Sequence, residues 1–308
     1  MIGIVYDPVF LLHNPGPGHP ESPERLVAVK EAIDGLELDF QNIPVRLADR
    51  DCLELVHLPR YVDYILNLDI SETTFLDPDT PISSHSVEAA LKAVGGVINA
   101  VDEVVAGRVR KVFCAVRPPG HHAEPDRAMG FCVFNNIAIG AAHAAGRHGL
   151  NRVAIVDWDL HHGNGTQDAF YDTGNVLYIS LHQAPYYPGS GSRFETGDGA
   201  GAGFTINIPM GAGSCDDDYR QAFNEIIIPS LRDYQPEMLF VSAGFDAHKD
   251  DPLGDINLTT AFFGEMTSLL DIIANEFCGG RLISVLEGGY NLQALKESVG
   301  LHLEELAK

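Results

Sequence analysis

The stretch Arg152-Val-Ala-Ile-Val-Asp157-Trp-Asp159-Leu-His161-His162-Gly-Asn164-Gly-Thr166 runs from unbroken apolar residues straight into a cluster of charge. Residues 153–156 show no alternation, which fits a strand covered on both faces rather than one with a wet side. The same plan repeats on either side of it. Apolar runs at 2–6, 111–116, 176–181, 204–208, 238–242 and 282–286 alternate with helical patterns. Those patterns are a helix capped by Ser22 with Pro23 at its first position, then 86–105, 136–148 closed by Gly149, 163–171, 216–234, 259–276, and a last helix to the C-terminus. The alternation predicts an α/β fold, with a mostly parallel central sheet and helices on both faces, forming a single domain over residues 1–308. In such sheets ligands bind beyond the carboxyl ends of the strands. The unusual polar residues fall there: His121 and His122 after 111–116, Asp157 to Thr166 after the quoted strand, His182 after 176–181, Asp246 after 238–242, and Glu287 to Asn291 after 282–286.

The 308 residues carry 20 Lys and Arg against 43 Asp and Glu, a net charge of −23. Nucleic acid is therefore not an expected partner, since phosphate backbones are bound by clustered cations and the densest basic run is only Arg108-Val109-Arg110-Lys111. Five widely spaced cysteines, none in a C-x-x-C pair, predict free thiols and a reducing, cytoplasmic location. The N-terminus has no basic, then apolar leader, and no apolar run reaches the roughly 18 residues of a membrane span, so neither secretion nor a membrane partner is expected. The oligomeric state is left open.

Asp157, Asp159 and His161 are spaced by two, so an extended chain puts them on one face with His162 pointing elsewhere. Ionised carboxylates in an apolar interior need compensation. Either a divalent cation or an Asp–His hydrogen-bonded pair without metal provides it. Asp246 with one Asp and one His would complete a three-ligand site with a position open to water, as in hydrolytic zinc sites; Asp after a strand also serves as a cap or turn residue. His121 and His122 follow Pro118-Pro119-Gly120, a rigid turn suited to fixing two imidazoles for proton transfer. Tyr290 follows Gly288-Gly289 and is either an oxyanion donor or a core-edge tyrosine.

Taken in order, Arg117-Pro-Pro-Gly-His-His-Ala-Glu-Pro125, Gly130-Phe-Cys-Val-Phe-Asn-Asn136, the quoted strand and its tail, Ser180-Leu181-His182, Ala243-Gly-Phe-Asp246 and Leu286-Glu-Gly-Gly-Tyr-Asn291 resemble the zinc-dependent histone deacetylase family. The opening Gly16-Pro-Gly-His-Pro-Glu-Ser-Pro-Glu-Arg25-Leu, Asn164 and Glu287 are similar to its class II-like and bacterial amidohydrolase members. The resemblance spans residues 6 to 291 and implies the three-layer arginase/deacetylase-like fold.

It also implies roles, residue by residue. Zinc, one catalytic ion per chain, would be held by Asp159, His161 and Asp246. Asp157 would support His121 and, with Ser180 and Leu181, line a structural potassium or sodium site. Phe170, Thr173, Val176 and Tyr219 would line a second. His122 matches the general base and acid, Asn164 its partner, and Tyr290 the oxyanion donor. Phe131 and Tyr187 would wall an acyl-lysine tunnel with Gly130 at its floor, Asp79 at the rim binding substrate main chain, and Leu253 where polyamine-selective relatives are expected to carry an acid. Tyr187 stands where the wall is often Phe. The implied reaction is hydrolysis of acetyl-lysine, or another short acyl-lysine, in a peptide or protein. The rivals are an acetylpolyamine amidohydrolase acting on acetylated amines, a binuclear ureohydrolase, which needs further Asp ligands, and an inactive acyl-lysine binder.

Overall fold

In the computed structural model, which describes residues 1–70 and 73–308, the apolar runs form strands. They are β1 (Ile2–Val5), β2 (Phe40–Ile43), β3 (Thr74–Phe75), β4 (Pro81–Ile82), β5 (Lys111–Cys114), β6 (Val153–Asp157), β7 (Val176–Gln183), β8 (Thr205–Met210), β9 (Met238–Ala243) and β10 (Leu282–Leu286). Eight of them make one sheet in the order β2-β1-β5-β10-β9-β6-β7-β8, every pairing parallel, while β3 and β4 form a separate antiparallel pair. All residues of β6, β7, β9 and β10 are buried, as their largely apolar sequences require, with Asp157, Ser180, His182, Gln183, Ser242 and Ser284 the polar exceptions.

Register shows the two covering layers. Ile283 pairs with Phe240, and Ser284 with Val241, so successive rows point to opposite faces. The Phe240 ring reaches the space beside Gly140 of helix Asn136–His148, whereas the Ser284 hydroxyl bonds the His302 ring of helix Leu292–Leu306 at 2.8 Å. Helix Ser86–Val105 packs beside Asn136–His148; Pro23–Gly35 and Thr260–Phe277 pack beside Leu292–Leu306. The result is the three-layer α/β/α arrangement that the alternation predicts.

Two local expectations change. The helix expected over 216–234 is Asp216–Ala222 and Ile228–Tyr234, separated by a wider π-type turn over Phe223–Ile227. Pro229 has no N–H to give to the preceding turn, which accounts for the break. Ser22 precedes its helix in extended conformation, but its side chain makes no capping hydrogen bond.

The topology places the site. β5, β10, β9, β6 and β7 are five consecutive strands in space, so the polar tails that follow them open at one edge of the sheet. Helix Ser86–Val105 lies against the chain at Arg46, so closely that a Cβ at Gly95 would stand 2.0 Å from the Arg46 carbonyl oxygen. Alanine in a helix interior normally gains about 1 kcal/mol over glycine, but overpacking against backbone costs about 1–3 kcal/mol. Gly95→Ala is therefore expected to lower the chemical-denaturation midpoint; a raised midpoint would show that the 46–48 segment yields.

Candidate active site

β6 ends at Asp157, and the chain then bends instead of staying extended. That bend separates the residues spaced by two. Asp157 Oδ2 lies 3.1 Å from His121 Nδ1 and accepts from the Tyr178 hydroxyl at 3.1 Å, while its Oδ1 accepts from Asp159 N at 3.2 Å. Asp159, His161 and Asp246 form a different group. Their donor atoms all lie within 4.8 Å of one another, with His161 Nδ1 3.2 Å from Asp159 Oδ1 and 3.0 Å from Asp246 Oδ2. Both solutions offered for the buried carboxylates are thus present: an Asp–His pair at Asp157 and a three-donor cluster beside it.

The cluster could hold a divalent cation. Asp159 and Asp246 are fully buried neighbours. Burial and the Asp159 charge push the Asp246 carboxyl up to about 7, and although burial pushes His161 down, its hydrogen bonds to both carboxylates raise it to about 9. Two like charges crowded at one buried site are what a divalent cation would compensate. Backbone amides fix the oxygens: Leu160 N donates to Asp246 Oδ1 at 2.8 Å and Gly288 N to Asp159 Oδ2 at 2.8 Å. A Cβ at Gly288 would stand 2.3 Å from Asp246 Oδ2 and fill the cradle.

The adjacent histidines are driven apart. His121, between Asp159 and Asp157, overcomes its burial and is raised to about 10, whereas burial and the positive charges of His121 and His161 push His122 well below the ordinary histidine value. His122 is therefore neutral. Its Nδ1 lies 2.8 Å from Asn164 Oδ1, and Asn164 Nδ2 donates to Glu124 Oε1 at 2.7 Å, which orients the amide with its oxygen toward the ring. Nδ1 then carries the proton and Nε2 the free lone pair. His162 points away, to Ser190 Oγ and Gln167 Oε1.

A cavity of about 100 Å3 is lined by Asp79, His122, Gly130, Phe131, His161, Tyr187, Leu253 and Tyr290, so every residue expected in the tunnel faces the same space as a cluster donor. Gly130 (φ 57°) and Phe131 (φ 69°) are both left-handed, and a Cβ at Gly130 would stand 2.4 Å from the His122 ring. Only glycine lets the wall close on the imidazole. Strain at Phe131 aims its ring edge-on to Tyr290, with centroids 6.0 Å apart. Asp79 Oδ1 is engaged inside the protein, accepting from Gly130 N and Thr80 Oγ1 at 3.0 Å each, which qualifies its expected role at the rim. The Leu253 carbonyl accepts from Tyr186 at 2.9 Å.

Of the residues expected around monovalent ions, Asp157 and Ser180 pair across β6 and β7 and are fully buried, with Leu181 next to them. Phe170 O accepts from Thr173 N and Oγ1 at 3.1 and 3.2 Å, and Val176 opens β7. Tyr219 stands on helix Asp216–Ala222 against Phe262, its buried hydroxyl without a partner, and no hydrogen bond or ring contact joins it to the other three.

Sequence reading missed the frame beneath Tyr290. Arg25, fully buried, donates through Nε to Gly289 O at 2.6 Å and through Nη2 to Glu287 O at 2.5 Å, and its guanidinium lies 4.9 Å from the Tyr290 ring centroid. Glu21 pairs with Arg25 at 3.0 Å and with Arg117 at 2.5 Å; Arg117 also donates to Phe10 O at 2.7 Å. Glu287 Oε2 accepts from the amides of Gly120 and His121, and Asp251 Oδ2 from those of Tyr290 and Asn291. The available signal was the Glu21-x-x-x-Arg25 spacing, which reads equally well as a surface helix pair.

Residues 19–306 match a family described as the histone deacetylase domain. A probable deacetylase of Archaeoglobus fulgidus is 39% identical over 94% of this chain and 82% of its own. A histone deacetylase-like amidohydrolase of Pseudomonas aeruginosa is 40% identical over 89% of this chain and 73% of its own. The crystal structure of an HDA15 HD domain superposes with a TM-score of 0.94 and 36% identity, covering 99% of this chain and 88% of that one.

Because His161 must give up a proton before it can ligate, cation binding to the cluster should release protons near neutral pH and tighten as pH rises toward 9. Titration calorimetry in buffers of different ionisation enthalpy is expected to show release of about one proton per ion, and Asp246→Ala is expected to abolish tight binding. Binding without proton release would show that His161 is already neutral.

Proposed function

We propose, from the premise that this chain belongs to the histone deacetylase family, that it is a zinc-dependent hydrolase that cleaves the side-chain amide of acetyl-lysine, or of another short acyl-lysine, in a peptide or protein. The observation that carries this is the narrow cavity, in which a cation-binding donor, a neutral imidazole and a phenol share one small space.

Zinc held by Asp159, His161 and Asp246 would polarise the amide carbonyl and make the attacking water more acidic. Two imidazoles tuned in opposite directions and a phenol supply the rest. His122, kept neutral, takes a proton from the attacking water at Nε2 and returns it to the departing amine. Asn164 holds the tautomer, with Glu124 behind it. His121 keeps a positive charge beside Asp157 and Asp159. Burial pushes the Tyr290 phenol well above its ordinary value, so it remains an O–H donor to the developing oxyanion. The flexible turn beneath it is braced by Arg25.

Phe131 and Tyr187 are the walls for the acyl-lysine stem. Potassium or sodium ions at Asp157, Ser180 and Leu181, and near Phe170, Thr173, Val176 and Tyr219, belong to the same proposal as structural elements. The charge of −23 attracts cationic substrates of every kind, so discrimination falls to the rim. Leu253 offers a long acetylpolyamine no partner for its secondary ammonium. Asp79, at the same rim, would accept substrate main-chain N–H groups, which a polyamine lacks.

Steady-state assay of the zinc-loaded protein is expected to give a higher kcat/KM for acetyl-lysine peptides than for acetylspermidine; the reverse order would replace this reading with an acetylpolyamine amidohydrolase. Asp79→Asn, which removes the charge and keeps an acceptor for Gly130 N, should erode the preference, and Leu253→Glu should shift it toward the polyamine. Tyr290→Phe should retain zinc and lower kcat by on the order of 10²–10³. Near-parental turnover in that variant would leave Tyr290 a packing residue.

A further inference from the structure

A second convergence of ligating side chains lies between the paired helices of the other layer. Asp102 on helix Ser86–Val105 faces His143 and His148 on helix Asn136–His148. Both imidazole Nε2 atoms stand 2.8 Å from the same oxygen, Asp102 Oδ1, and all three donors lie within 4.8 Å of one another. The rings are edge-on, with centroids 5.1 Å apart. His143 is buried and its Nδ1 has no partner, so Nε2 makes its only polar contact. His148 and Asp102 are part-exposed, with side-chain exposures of 25% and 36%, which leaves a way in from solvent. Arg46 is 3.8 Å from Asp102 Oδ2 and leaves Oδ1 to the histidines, and Arg108, also near enough to act on Asp102, is paired with Glu103.

We infer that Asp102, His143 and His148 form a peripheral binding site for a borderline divalent ion of the zinc, nickel and copper class. Two imidazoles and one carboxylate are the donor set these ions favour, whereas magnesium and calcium take oxygen donors. Tetrahedral coordination at roughly 2.0–2.1 Å sets donors roughly 3.3 Å apart. The observed 2.8 Å contacts need to open by roughly half an ångström, which rotation of the part-exposed Asp102 and His148 side chains supplies. Each imidazole ligates with its proton on Nδ1, and the fourth position stays open to water. The donors come from residues 41 and 46 positions apart on two packed helices, so the ion acts as a clip between them. A ligand of the native state alone stabilises it in proportion to its occupancy. The site shares no residue with the strand-end cluster, and the inference stands independently of the proposed reaction.

The test uses the full chain with its strand-end site saturated by zinc. Calorimetric titration with further Zn2+ is expected to show one additional ion per chain and a rise in the thermal midpoint, and Cu2+ added to the same protein should give an electron paramagnetic resonance signal with coupling to two nitrogens. His148→Ala, at a part-exposed helix end, should weaken this ion by more than the roughly 10–100-fold that loss of a mere supporting group costs, with turnover and the first ion unchanged. Asp102→Asn should act in the same direction. In Asp246→Ala, whose strand-end cluster is broken, the helix ion should persist, which separates the two sites. No additional ion at millimolar Zn2+, or affinity unchanged in both His148→Ala and Asp102→Asn, would overturn the inference and leave the three residues a hydrogen-bonded tie between helices.

Discussion

Asp159 and Asp246 face each other in the dry interior of this protein, and most of the surrounding structure serves to hold that pair together. Two buried carboxylates repel, and each loses its hydration. The chain answers with His161 between them, amides from Leu160 and Gly288 on their oxygens, and a glycine where any side chain would fill the space. The compensating groups come from two strand ends, His161 and Leu160 after β6 and Gly288 after β10, while Asp246 follows β9. The sheet order makes that possible, because β6, β9 and β10 are neighbours in space and remote in sequence.

A second buried charge cluster supports the reacting groups from below. Glu21 is held well below the ordinary carboxylate range: burial pushes it up, and the Arg117 guanidinium together with His13 outweighs that. Through Arg25 it braces the Glu287-Gly-Gly-Tyr290 turn, and through Arg117 it ties down the strand that leads to His121 and His122. The two imidazoles and the phenol are therefore referred to one salt-bridged anchor near the N-terminus. Such an anchor is a poor source of net stability but a strict setter of geometry.

The fold was legible because a strand covered on both faces has to be apolar throughout, and residues 153–156, 238–241 and 282–286 have no other reading. Short pieces were not. Phe40–Ile43 is an edge strand of mixed exposure, and Arg50–Leu53 and Pro59–Leu66 are helices too brief to show a period. At the site, spacing by two puts Asp157, Asp159 and His161 on one face, whereas the bend after Asp157 sets Asp157 beside His121 and groups the other two with Asp246. Arg25, Glu21 and Asp251 gave no local sign of burial, because their partners lie far along the chain: Gly289 is 264 residues from Arg25. The role of Glu124 behind Asn164 was hidden in the same way, although Glu124 lies within a motif that pointed to the site.

The place of β10 in the sheet also bears on how the protein comes into being. It lies between β5 and β9 and is the last strand to leave the ribosome. Until Leu282–Leu286 has emerged, the sheet is two unjoined halves, one holding His121 and His122 and the other holding Asp159, His161 and Asp246. Non-local pairing of this kind is slow to form. A nascent chain therefore carries His121 and His122 on one piece and Asp159, His161 and Asp246 on another, and insertion of the central strand brings the two groups together.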